Sequence, residues 1–80
     1  MFIVYVLKST IAEKHYVGFT ENLSRRLIEH NSGKSKFTSG YIPWKVIYTE
    51  EVPDRTQARA REKYLKTAGG KRFLKYKVTE

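Results

Sequence analysis

The 80-residue chain contains no cysteine and only two histidines, so disulfides and thiolate zinc sites cannot supplement its core, and little remains to build a structural zinc site. A chain of this length buries about two-thirds of the surface its unfolded form exposes, which leaves room for one domain over residues 1–80 and a shallow site. Sixteen lysines and arginines against eight aspartates and glutamates give a formal net charge of +8, which points to a polyanionic partner such as DNA or RNA.

The opening "MFIVYVLKS" has an apolar run of six residues with no basic segment before it and no small-residue cleavage site after it. It reads as neither a signal peptide nor a membrane span, so a soluble, cytoplasmic protein is the expectation. Residues 2 to 7 are β-branched and aromatic and too few for a stable helix, which predicts a strand buried on both faces. "IAEK" turns the chain, and "HYVGF" predicts a second strand returning in a hairpin. Thr20 or Asn22 caps a helix from about Asn22 to Asn31, which "NSGKSK" stops. "KSKFTSGYIPW" reads as a flexible loop over a cleft, with Phe37 or Tyr41 available to stack a base. "WKVIYTEE" supplies a third strand. Pro53 and Asp54 open a second helix to about Ala68, where Gly69 and Gly70 provide a left-handed cap. The tail "KRFLKYKVTE" fits a short third helix or a frayed strand. The order β-β-α-β-α implies an α+β fold, a three-stranded, mostly antiparallel sheet flanked by helices.

On the first helix, at about 100° per residue, Leu23, Leu27 and His30 share one stripe and Arg26 borders it, while Arg25 and Glu29 point the other way. A guanidinium aimed inward needs an anion or a carboxylate; the plainer reading is an arginine snorkelling at the helix edge beside a satisfied core histidine. On the second helix Ala58, Leu65 and Ala68 make a thin apolar stripe bordered by Glu62. That carboxylate is either a metal ligand or half of an ion pair with Arg61 or another cation.

"VYVL" followed eleven residues later by "YVG", then "NLSRRLIEH" and a distal "ARARE", resembles the GIY-YIG nuclease superfamily, and its short single-domain branch in particular. The superfamily includes the endonuclease subunit of excision repair and structure-selective resolvases. By this resemblance Tyr5 is the tyrosine of the first motif half, Tyr16 and Gly18 belong to the second, Arg26 is the helix arginine, His30 matches a histidine one turn later and Glu62 matches the metal-binding glutamate. The chain departs from the family pattern in two places: Ile3-Val4-Tyr5 lacks an opening glycine, and no asparagine follows Glu62.

The resemblance implies a metal-dependent DNA endonuclease acting on branched or damaged DNA, with a single Mg²⁺ or Mn²⁺ on Glu62. The alternative is a nucleic-acid-binding module that keeps the fold with little or no cleavage. In-line attack of water on a phosphodiester needs a base, charge stabilisation and a stabilised leaving oxygen. Tyr5 would be the base, Arg26 would hold the scissile phosphate, and Tyr16 would position water or phosphate. A guanidinium about 4 Å from the phenol favours the phenolate by roughly 4 kcal/mol, or ~3 pKa units, and burial pushes the other way. His30 is therefore the expected proton acceptor or orienting partner of Tyr5. Gly18 would let backbone or substrate approach closely. Lys14, His15, Arg25, Lys34, Lys36, Lys71 and Arg72 are candidates to track a phosphate backbone, and a homodimer or separate partner would choose the target.

Overall fold

The computed structural model describes residues 1–78. Strand β1 (Phe2–Ser9) lies between β2 (His15–Thr20) and β3 (Trp44–Val52) and is antiparallel to both, giving the order β2-β1-β3. This central place explains why its run has no polar side. Val4, Tyr5, Val6 and Leu7 are all buried, and each large apolar side chain removed from water contributes about 1.5–3 kcal/mol.

Successive residues of β1 serve opposite faces of the sheet. Val4 and Val6 pack with Val17, Val52 and with Ala58 and Leu65 of α2 (Arg55–Leu65), joined by Phe73 and Leu74 of α3 (Ala68–Lys77). On the other face Tyr5 and Leu7 pack with Trp44 and with Leu23 and Leu27 of α1 (Leu23–Asn31). The β1–β3 register slips between Val6 and Leu7, so that Ile47 is an extra residue and both Ile47 and Tyr48 pack on the α2–α3 side. Asn22 caps α1, its side chain accepting from the Arg25 N–H at 3.0 Å, and Asp54 caps α2 through Gln57. No helix among the described residues is long and apolar enough to cross a membrane.

Two segments depart from the reading of the sequence. Helix α2 ends at Leu65 rather than near Ala68, and Gly69 and Gly70 form the first turn of α3 instead of a left-handed cap. The cause is Thr67, whose hydroxyl accepts from the Gly70 N–H at 3.1 Å and starts a new helix. Among the described residues the left-handed glycine is Gly33, at φ 82°, just past α1. Gly70 is required for a different reason: a Cβ there would run into the Tyr64 carbonyl, because α3 folds back onto the last turn of α2. The tail is a helix to Lys77, and Thr79 and Glu80 lie outside the described residues.

The second departure is the segment from Lys34 to Trp44, which is tied down by hydrogen bonds. The Trp44 indole N–H donates to the Thr38 carbonyl at 2.9 Å, and Ser9 Oγ donates to the Tyr41 carbonyl at 2.7 Å. The Asn31 side chain bonds both backbone groups of Trp44. A short 3₁₀ turn, Ser39–Tyr41, completes the segment and leaves Thr38 fully buried against α1.

Candidate active site

Tyr5 stands mid-strand on β1, directly opposite Gly18 on β2. A Cβ at Gly18 would lie 2.8 Å from Tyr5 Oη and 3.0 Å from Tyr16 Cε2. Glycine therefore makes room for the phenol across the neighbouring strand, and the close approach expected of backbone or substrate is made by Tyr5 itself.

The phenol oxygen of Tyr5 is 3.0 Å from His30 Nε2, and His30 Nδ1 is 2.9 Å from Thr38 Oγ1. His30 and Thr38 are both 0 % exposed, so each ring nitrogen needs its partner. The Tyr16 ring closes the cluster, its centroid 4.8 Å from that of His30 and 6.2 Å from that of Tyr5.

Proton positions follow from this network. The Thr38 hydroxyl has the Ser35 carbonyl as its acceptor, which frees Thr38 Oγ1 to accept from His30 Nδ1 and leaves Nε2 to accept from the Tyr5 hydroxyl. His30 then carries its proton on Nδ1 and donates to Thr38, whose hydroxyl is left to face the Ser35 carbonyl at a long 3.5 Å.

Burial dominates the ionisation of both partners. It pushes the Tyr5 phenol up to about 12, with neighbouring Tyr16 adding to the rise, Arg26 opposing it, and Glu62 raising it slightly further. The guanidinium pull expected from the sequence is present and is outweighed. Burial and then the Arg26 charge lower the pKa of His30, against a smaller opposing effect of Glu29. At neutral pH the pair is thus an un-ionised tyrosine donating to an uncharged histidine with a free lone pair on Nε2.

Arg26 borders the buried stripe of α1, with its side chain 34 % exposed. Glu29, expected to face water, comes round to accept from Arg26 Nη1 at 2.8 Å, because the i,i+3 spacing lets the carboxylate meet the inward-leaning guanidinium. Glu62 occupies the border of α2 between buried Ala58 and Leu65, with its side chain 23 % exposed. Its ion-pair partner is Lys66, at 3.2 Å, whereas Arg61 reaches over to Glu50 of β3 at 2.7 Å. The Tyr5 phenol feels the charge of Arg26 and, most weakly, that of Glu62, which stands on α2 across the sheet from α1.

Among the described residues no cluster of three or more histidines, aspartates and glutamates is placed to cage a metal. A hard divalent cation such as Mg²⁺ does not need one, since it is commonly held by one or two carboxylates with waters and substrate phosphates. Glu62, a carboxylate whose side chain is mostly buried, is of the type that such a site uses.

A family model described as the GIY-YIG catalytic domain matches residues 1–77. The chain belongs to the GIY-YIG family. It is 41 % identical over 64 residues to a UPF0213 protein of Clostridium perfringens, covering 79 % of this chain and 68 % of that protein. A UPF0213 protein of Natronomonas pharaonis is 38 % identical over 65 residues, covering 80 % of this chain and 75 % of that protein. The solution NMR structure of a UPF0213 protein from Bacillus halodurans matches with a TM-score of 0.56 at 30 % identity, covering 95 % of this chain and 84 % of that one, and it supports the α+β architecture.

In this GIY-YIG domain the basic residues singled out by sequence divide. Lys14 and His15 line a pocket with Tyr16, and His15 and Lys71 line a larger open groove of about 720 Å³ together with Lys66 and Lys75. Arg25 instead turns to Glu29, at 3.9 Å, with its side chain largely in water. Lys34, Lys36 and Arg72 are exposed, and the structure gives none of them a contact with the Tyr5 cluster. Thr38 was not marked by sequence, because nothing in a polar loop distinguishes one threonine. The signal available was indirect: a fully buried histidine requires a second partner for its other nitrogen. Lys66 was legible as the i+4 neighbour of Glu62.

Proposed function

We propose that this domain is a divalent-metal-dependent endonuclease that hydrolyses DNA phosphodiester bonds. The observation that carries the reading is the buried hydrogen bond from Tyr5 to an uncharged His30, with the Arg26 and Glu62 charges acting on the phenol. A phenol held up to about 12 is a poor base alone. Paired with a neutral imidazole it becomes a proton conduit: Tyr5 oxygen takes a proton from the attacking water while its own hydroxyl proton passes to His30 Nε2. The water oxygen forms the new bond to phosphorus, the bond to the 3′ oxygen breaks, and the leaving oxygen takes its proton from solvent. Arg26 holds the scissile phosphate and offsets the charge that builds on it. Glu62 would hold a Mg²⁺ or Mn²⁺, which would supply Lewis-acid stabilisation of the leaving oxygen.

Gel-resolved cleavage of labelled duplex, single-stranded, flapped and four-way-junction DNA, in Mg²⁺ or Mn²⁺ against EDTA, tests this. Wild type gives metal-dependent products, and Glu62→Gln gives none while keeping the wild-type circular dichroism spectrum. Full turnover by Glu62→Gln removes the metal role from that residue. Salt-sensitive binding with no product anywhere in the panel replaces the nuclease by a nucleic-acid-binding module of the same fold, the reading favoured by the absence of an asparagine after Glu62.

A further inference from the structure

Beside the Tyr5 cluster lies a pocket of about 370 Å³ walled by Phe37, Tyr41 and Trp44, with Lys14, Lys66 and Tyr16 around it. Phe37 is 84 % exposed, an apolar ring held in water on a segment that is otherwise tied down by hydrogen bonds. Tyr41 is also exposed, and it meets the buried Trp44 edge-on with ring centroids 6.4 Å apart. The Lys14 ammonium lies 5.6 Å above the Tyr41 ring. The pocket is coupled to the chemistry by two residues. Tyr16 belongs to both, and Thr38 bonds His30 through its hydroxyl and Trp44 through its carbonyl.

Exposed aromatic faces alternating with lysines are the arrangement that takes a nucleobase on the rings and its flanking phosphates on the ammonium groups. A base inside a duplex has both faces covered by its neighbours, so only an unpaired, unstacked base can offer a face to Phe37. Resting on the nuclease reading above, we infer that this pocket holds an unpaired nucleotide adjacent to the scissile phosphate. The substrate class is then DNA with at least one unpaired base at the cleavage position. Phe37 and Tyr41 set that preference, and the pinned Trp44 forms the floor.

Trp44 is the chain's sole tryptophan and lines the pocket, so its fluorescence reports occupancy directly. The experiment titrates the protein in EDTA with single-stranded oligodeoxynucleotides of about twelve residues and with the corresponding blunt duplex. Wild type, Phe37→Ala and Phe37→Tyr are compared. The exposure of Phe37 means that its truncation leaves the core untouched. Single strands are expected to quench Trp44. Phe37→Ala should weaken single-strand binding about five-fold or more, and Phe37→Tyr should restore it to within about two-fold. Duplex affinity should be unchanged by either. Wild-type single-strand affinity in Phe37→Ala, or an equal loss for duplex, overturns the pocket assignment. The cleavage panel separates the two readings. Metal-dependent cutting of subsaturating single strands at the same rate by wild type and Phe37→Ala overturns the pocket and leaves the nuclease standing. Phe37-dependent single-strand binding with no product in metal supports the pocket and removes the nuclease.

Discussion

Replacing Thr38 by valine keeps the branched shape of a fully buried side chain and removes one atom that matters, the oxygen 2.9 Å from His30 Nδ1. If His30 keeps its tautomer, a buried N–H loses its acceptor, at a cost of about 1–3 kcal/mol. For a domain of this size, at ~4–8 °C per kcal/mol, the melting temperature then falls by roughly 5–20 °C. If His30 instead moves its proton to Nε2, much of that stability is recovered, but the lone pair facing Tyr5 is gone and proton transfer is blocked. Cleavage then drops by about 10²-fold or more. Thermal unfolding by circular dichroism, the His30 tautomer by nitrogen NMR, and the cleavage rate together separate the branches. Thr38→Ser retains the oxygen and restores both tautomer and rate. A valine variant with wild-type melting temperature, tautomer and cleavage would refute the assignment of Thr38 as the residue that orients His30.

The two adjacent glycines at the α2–α3 junction give opposite outcomes. Gly70→Ala drives a methyl into the Tyr64 carbonyl and should lower stability by about 1–3 kcal/mol or more, whereas Gly69→Ala meets nothing nearer than 3.8 Å and should gain about 0.5–1 kcal/mol from helix propensity; urea midpoints check both. The pH dependence of stability follows from His30, whose folded pKa lies below its ordinary 6.5. Below that pH the unfolded chain takes up a proton that the folded chain refuses, so stability is full above about pH 6.5 and declines as the pH falls from there towards the folded pKa. Denaturant midpoints between about pH 5 and 7.5 measure the decline, and His30→Gln should remove the His30 part of it.

Much of the fold was written in local pattern. The unbroken apolar run of Phe2 to Leu7 marks a strand with neighbours on both sides, and the wheel of α1 brings His30 inward on the same stripe as Leu23 and Leu27. The helix boundary after Leu65 was not legible, because two glycines in a row look like a stop. What restarts the helix is the Thr67 cap, and what demands Gly70 is the fold-back onto Tyr64, a contact that exists only in three dimensions. The site shows the same division. Tyr5, Tyr16 and His30, which the structure brings into contact, were singled out by spacing and resemblance, while the ionisation of Tyr5 depended on how completely the sheet and α1 bury it. Glu29 looked solvent-facing on the wheel, and only the length of the Arg26 side chain reveals their pairing.

The most direct measurement is single-turnover cleavage by Tyr5→Phe beside wild type, on the best-cut DNA of the panel and in saturating Mg²⁺ or Mn²⁺. The substitution removes one oxygen from a fully buried ring and with it the hydrogen bond to His30. If the Tyr5–His30 pair moves the proton of the attacking water, the rate falls by about 10²–10⁴-fold with DNA affinity unchanged. A Tyr5→Phe protein that cuts at the wild-type rate would contradict it.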